Sequence, residues 1–499
     1  MEKITLRLKK FFKDNPRESL VLGLIIVLAL ALRLYKIDGF MTFLGDEGRD
    51  VRIVRDLLRG NLVFIGPQTS IGNMYLGPLY YYMMAPALLL SAGNPVGPAI
   101  MNALLGTLTI FLTWAIARSW FGRLPALLTA FLFALSPVAI IYSRSSWNPN
   151  PMPFFSLLAI WSIYRVWKEK RFVLLSLASF SLAAGLQMHY LGLLLIPTLG
   201  IFWLLTIRSA WPKPKEKASL IKHTLIATAL FFLMMFPLLL FDLKHNFMNF
   251  NAFKTFFTDR QTTINLNPAR SDRFSLITDK VVSDMVLGRA TTYPILVGLV
   301  ILAGFILFLR RAKNKAPLLL LSSWAFFGFL GLIVYKQHVY AHYYGFMYPA
   351  LYMILGVSIA YFLKEKLPLR LFGLVFLVWL VYLNVVNSPV RETPNRQLAR
   401  TEQIIDLIIK ESNGQPFNFG LIAKQNYDES YRYILENKKA KMVRGENGVT
   451  DQLFAVCEDG DKCQPEGNPA YQIAIFGIAK TQQEWRIDGI RIYRLTHPN

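Results

Sequence analysis

The sequence predicts an α-helical polytopic membrane protein carrying a small α/β domain at its C-terminal end. Three observations predict it. Of 499 residues, 54% are hydrophobic and only 17% charged, whereas a soluble chain is normally near a quarter charged. The apolar residues come in blocks of about 20, the length that a ~30 Å hydrocarbon layer demands of a helix. Beyond Asn387 the composition turns to that of an ordinary soluble domain.

The first element is a basic arm, Lys3, Arg7, Lys9, Lys10, Lys13 and Arg17, followed by an apolar block at 18–36. Positive charge before a first span favours a cytoplasmic N-terminus. Within it, Arg33, Tyr35 and Lys36 follow the apolar run Leu20–Leu32 where a signal peptide would carry small residues, so the block reads as a retained span. Further blocks run at 75–92, 97–117, 124–142, 152–167, 172–188, 190–207, 219–241, 290–309, 316–335, 343–363 and 368–386.

If every block crossed, the basic loops Arg208–Lys222 and Arg310–Lys315 would fall outside. If 75–92, rich in Tyr and broken by Pro78 and Pro86, is re-entrant or interfacial, all five strongly basic loops fall inside. The expectation is therefore eleven crossings, with N-terminus in and C-terminus out. The plasma membrane is the expected location, with membrane lipids as partners. The division is a transmembrane catalytic domain at 1–390, with long outer loops at 37–96 and 242–289, and a soluble extracytoplasmic domain at 391–499. In the latter, 398–412 and 427–438 have helical spacing, and Phe417–Ala423 and Gln472–Ile478 read as buried strands.

The formal net charge of +23 lies mainly in short loops, where it sets topology and meets anionic headgroups. No basic stripe interleaved with aromatics appears, so nucleic-acid binding has no support. P-loop, dinucleotide-glycine and HExxH motifs are absent from the sequence. Cys457 and Cys463 are the two cysteines; both a disulfide and two free thiols are open to them.

The candidate chemistry lies on the outer face. Gly45-Asp46-Glu47-Gly48-Arg49-Asp50 opens the first outer loop, with Arg52 and Arg55 one turn further. An adjacent carboxylate pair offers a base or a metal ligand, and arginines a helical turn away suit a phosphate. The competing reading is a helix start, with acids in the first turn favoured by the helix dipole. His189, His245, His338 and His342 fall at span ends on the same face, beside Tyr190, Asp242 and Tyr343. A third patch, Tyr142-Ser143-Arg144-Ser145-Ser146-Trp147-Asn148-Pro149-Asn150, offers Arg144 for an anion and Asn148 for hydroxyl or metal contacts. Interfacial anchoring explains a lone His or Tyr equally well.

The order of these features resembles the GT-C superfamily, in particular glycosyltransferase family 39, which includes protein O-mannosyltransferases and the aminoarabinose transferase of lipid A. The matching residues are the Asp46-Glu47 pair after one span, Gly77-Pro78-Leu79-Tyr80-Tyr81-Tyr82, Ala117–Arg123, Leu135-Ser136-Pro137 and Tyr142-Ser143-Arg144. Tyr75-Leu76 stand where the family carries a basic residue. The resemblance implies inverting transfer of a sugar from a polyprenyl-phosphate donor to a lipid, glycan or protein acceptor outside the membrane. It implies Asp46 as general base with Glu47 in support. Donor contacts are expected from Arg49, Arg52, Tyr80, Tyr81, Arg144, Asn148, His189, Tyr190, Asp242, His245, His342 and Tyr343. The cofactor stays open, a divalent metal included. The alternative is a transporter or flippase of lipid-linked saccharides, but such a protein needs polar groups in mid-span, and here they collect at one face.

Overall fold

A computed structural model describes residues 12–69, 74–258, 272–335, 338–460 and 463–498. Every apolar block forms a helix. Among the described residues, seven are long and apolar enough to cross a membrane: Val96–Phe121, Tyr190–Ala210, Pro214–Lys244, Pro294–Arg311, Ala316–Val334, Ala341–Lys364 and Leu367–Val386. Pro16–Leu34 and Met152–Glu169 have the length, at 19 and 18 residues, but carry charges at their ends: Arg17, Glu18 and Arg33, and Arg165, Lys168 and Glu169. Arg123–Leu135 and Phe172–Met188 are shorter. Pro137 ends the first of these, and Ser136 caps the Pro137–Tyr142 helix that continues the block.

Leu79–Leu90 differs from the rest. It has 12 residues, about 18 Å of helix against a hydrocarbon layer of ~30 Å. One end is buried through Tyr80, Tyr81 and Met84, while Leu90 is exposed. A segment of that length suits the re-entrant or interfacial reading of 75–92.

The spans pack into one continuous core, which runs without a break into the C-terminal unit: Phe43, Val51 and Val54 share it with Tyr433, Leu435 and Phe454. That unit holds the helices Gln397–Glu411 and Glu429–Asn437, and four strands. The strands are β1 (Asn418–Ile422), β2 (Gln452–Cys457), β3 (Lys480–Ile487) and β4 (Ile490–Thr496), in the order β1-β2-β4-β3. β1 and β2 are parallel and the other pairs antiparallel. Cys457, at the end of β2, is joined to Cys463.

One strand expectation needs correction. Gln472–Ile478 is not a strand: Tyr471–Phe476 is a helix, with Ile473 and Phe476 buried at helical spacing. Short apolar runs do not distinguish the two states by pattern alone, and here Ile473 packs over Gly420 on the face of β1 rather than pairing along its edge. β2 and the β3–β4 hairpin were not anticipated. The signal for the hairpin is Asp488-Gly489, both at positive φ (46° and 83°), as a tight hairpin turn requires.

Candidate active site

The site is built on the helix Gly45–Leu58, which follows the first span after a short connection. Its N-terminus is closed by its own sequence. Glu47 folds back so that its carboxylate accepts from the Leu44 N–H at 3.0 Å, the half of a capping box that a glutamate at the third position supplies. That use takes Glu47 into the interior, where it is 5% exposed and burial raises its pKa to about 7. Asp46, one residue earlier, points outward with its side chain 42% exposed. The acidic pair is thus split, one member capping the helix and one facing the cleft.

One turn on, Arg49 ties two carboxylates together. Its Nη1 donates to Asp46 Oδ1 at 2.9 Å, and its Nη2 to Asp50 Oδ1 at 2.7 Å. Asp50 is fully buried, also accepts from the Tyr81 hydroxyl, and is raised by burial to about 6 in spite of Arg49. Asp50 lies four residues after Asp46, on the same helix face; that spacing was the available signal for including it.

Three cavities meet at Asp46. The first, about 330 Å³, is lined by Asp46, Arg49, Trp147, Asn148, His189, Tyr190, Tyr340, His342 and Tyr343, with Gln68 and Thr69 at its mouth. The second, about 970 Å³ and open, runs past Ile53, Leu62, Val63, Phe64, Ile65, Tyr75 and Tyr81. The third, about 360 Å³, lies towards the C-terminal unit among Thr42, Ser145, Asn150, Gln425, Asn426 and Tyr427.

Rings wall the first cavity. Trp147 and His342 have centroids 4.3 Å apart, Tyr340 stacks on His342 at 5.7 Å, and His189 lies 4.9 Å from Tyr343. His189 Nδ1 accepts from the Leu191 N–H, which requires a lone pair, and burial lowers its pKa to about 3; the ring is neutral. His342 Nδ1 is buried with no hydrogen-bond partner among the described residues. Asn148 holds the wall by donating to the Met188 carbonyl.

The other expected residues lie elsewhere. Arg52 turns to the C-terminal unit and pairs with Glu429 at 2.7 Å. Arg144 is 2% exposed, donates to the Tyr35 carbonyl and lies over the Phe40 ring at 4.1 Å, beneath the site rather than in it. Tyr80 is fully buried, and its hydroxyl is shared with Ser146 and Asn102. Asp242 accepts from the Asn249 and Phe250 N–H groups at the start of the Met248–Thr258 helix. His245 stacks on Phe241 at 4.0 Å, and His338 lies against Tyr340. These contacts position backbone and walls.

Sequence reasoning missed Tyr427 and Asn426 of the C-terminal unit. The Tyr427 hydroxyl donates to Asp46 Oδ1 at 2.7 Å and accepts from Arg49 Nη1 at 3.1 Å. Asn426 Oδ1 accepts from the Gly45 N–H. Gly45 and Gly48 permit the approach, because a Cβ on Gly45 would lie 2.5 Å from the Tyr427 ring and one on Gly48 would lie 2.2 Å from Ser430 N.

Comparison with known proteins decides the fold. ArnT of Cupriavidus metallidurans, solved with undecaprenyl phosphate, superposes with a TM-score of 0.63 at 13% identity, over 96% of this chain and 99% of that one. The chain has the GT-C fold. A second GT-C structure, the oligosaccharyltransferase AglB of Archaeoglobus fulgidus with an inhibitory peptide and a dolichol-phosphate, matches with a TM-score of 0.54 at 14% identity, over 85% of this chain and 64% of that one. Residues 76–241 of this chain match the family model of dolichyl-phosphate-mannose-protein mannosyltransferases. A candidate mannosyltransferase of Bacillus subtilis, YkcB, is 22% identical over 137 residues, which are 27% of this chain and 19% of that protein.

Among the described residues, no group of three or more His, Cys, Asp or Glu side chains is arranged to hold a metal ion. The A. fulgidus oligosaccharyltransferase has been solved with Zn and sulfate. Here the carboxylates that line the cavities already have partners: Asp46 is held by Arg49, Glu47 accepts from the Leu44 N–H and Asp56 pairs with Arg55.

Proposed function

We propose that the chain is a membrane glycosyltransferase that moves a sugar from a polyprenyl-phosphate donor to an acceptor hydroxyl at the outer face, with inversion, and that Asp46 is its general base. The observation that carries this is the convergence of three cavities on one exposed carboxylate. The apolar lip of the open trough, with Leu62 67% and Phe64 48% exposed, suits an isoprenoid chain. The ring-walled cavity suits a sugar, whose C–H faces pack on aromatic rings. The cavity against the C-terminal unit is left for the acceptor.

The chemistry follows from the charges. Asp46 takes the proton of the acceptor hydroxyl as its oxygen attacks the anomeric carbon, and the bond from that carbon to the phosphate oxygen breaks with its electrons on the leaving polyprenyl phosphate. Arg49 is held by two carboxylates before the step. Protonation of Asp46 removes one of them, so Arg49 becomes more available to the phosphate as negative charge develops there.

The donor-sugar probe is radiolabelled undecaprenyl-phosphate mannose, presented to purified protein with crude envelope acceptors. Asp46→Asn keeps size and removes the base, so transfer falls by about 10²-fold or more, while donor binding persists because the lost charge was negative. Wild-type transfer by a folded, inserted Asp46→Asn protein would show that Asp46 is not the base.

A further inference from the structure

Among the described residues of the C-terminal unit, Tyr427 is the one whose side chain bonds to Asp46 itself, and its hydrogen bonds define a role for it. Tyr427 has one hydroxyl proton, which it gives to Asp46 Oδ1 at 2.7 Å while taking a proton donor from Arg49 Nη1 at 3.1 Å. Arg49 Nη1 itself donates to the same Asp46 Oδ1 at 2.9 Å. The three groups close a triangle in which every donor has an acceptor. Both donors converge on Oδ1, and among the described residues Oδ2 takes no hydrogen bond. The carboxylate is therefore held by one oxygen and presents the other to the cavities it lines.

We propose that Tyr427 is a positioning residue for Asp46, so that docking of the C-terminal unit completes the base; this rests on the reading of Asp46 given above. The docking is itself built for register. Arg52 pairs with Glu429, and Arg55 Nη2 with Glu436 at 2.6 Å, on the helix that begins two residues after Tyr427. Asn426 is anchored on both sides, accepting from the Gly45 N–H and donating to Glu458. The ring of Tyr427 lies against Gly45 at a distance no other residue there would allow.

The test is Tyr427→Phe in the full-length protein, which keeps the ring and removes the hydroxyl. Loss of that hydrogen bond to a charged group is expected to lower kcat for transfer from undecaprenyl-phosphate mannose by about tenfold. KM for the donor is unchanged, and combining Tyr427→Phe with Asp46→Asn brings no further loss, because the hydroxyl acts only through that carboxylate. Infrared difference spectra of each protein against its Asp46→Asn counterpart follow the Asp46 carboxylate stretch without any substrate, and that band is expected to shift with Tyr427→Phe. An unmoved band with an unchanged kcat would overturn the inference, whatever the Asp46→Asn result. A shifted band with full transfer by Asp46→Asn would keep the contact and reject the base assignment beneath it.

Discussion

Gly48→Ala tests whether the approach of the C-terminal unit to the Gly45–Leu58 helix is needed for function. The added Cβ would lie 2.2 Å from Ser430 N, 2.3 Å from its Cα and 2.6 Å from the Glu429 carbonyl carbon, all main-chain atoms of the facing helix. Ordinary carbon contacts are about 3.5–4.0 Å, so that helix must retreat by roughly 1 Å. Ala gains about 1 kcal/mol over Gly in a helix interior. Overpacking against a rigid partner costs about 1–3 kcal/mol and sits at the top of that range when backbone must move. The net is about 2 kcal/mol against the docked arrangement, close to a 30-fold fall in its ratio to the undocked one. Ser430 is three residues from Tyr427, so the 2.7 Å bond to Asp46 does not survive a retreat of that size. Transfer is expected to fall while membrane insertion is unchanged, and limited proteolysis should open the chain near residues 423–428. Gly23→Ala, where a Cβ meets nothing within 4 Å, is the control and should be neutral. A Gly48→Ala protein with wild-type transfer and wild-type protease resistance would refute the reasoning.

Two other outcomes are expected. Glu47 has its ordinary pKa of 4.5 raised to about 7 by burial, so the stability from its protonated form is full below about pH 4.5 and is lost as pH rises towards 7, about 3 kcal/mol in all. Glu47→Gln keeps an acceptor for the Leu44 N–H and abolishes that loss; its melting temperature should vary less with pH across this window and be higher at pH 8, and curves parallel to wild type would contradict the assignment. Under the eleven-crossing topology, Lys215→Cys and Lys313→Cys resist an impermeant thiol reagent in intact cells, while Asn265→Cys, which lies outside the described residues, is labelled; labelling at 313 would reject the proposed sidedness.

What the sequence by itself determined is what local pattern controls. Block length and apolarity set the spans, because a helix must satisfy its own backbone in lipid whatever it packs against. The helix-start reading of Gly45–Asp50 holds, since Glu47 caps the helix, and it leaves Asp46 facing the cavities. Trp147, Asn148, His189, His342 and Tyr343 were legible as a shared face, since each sits at the end of a span and the spans end together. Only the tertiary structure decided which carboxylate is exposed, that Arg52 serves docking while Arg49 serves the site, and that Tyr427 reaches Asp46 across a sequence separation of 381 residues. Those outcomes depend on burial and on partners brought from elsewhere in the chain. The Tyr471–Phe476 helix was misread for the same reason, since its six residues carry no preference strong enough to outweigh the packing of Ile473 on Gly420. Spans are written in the pattern of neighbours along the chain; the orientation of the Asp46 carboxylate depends also on the Tyr427 hydroxyl, which only folding brings within 3 Å of it.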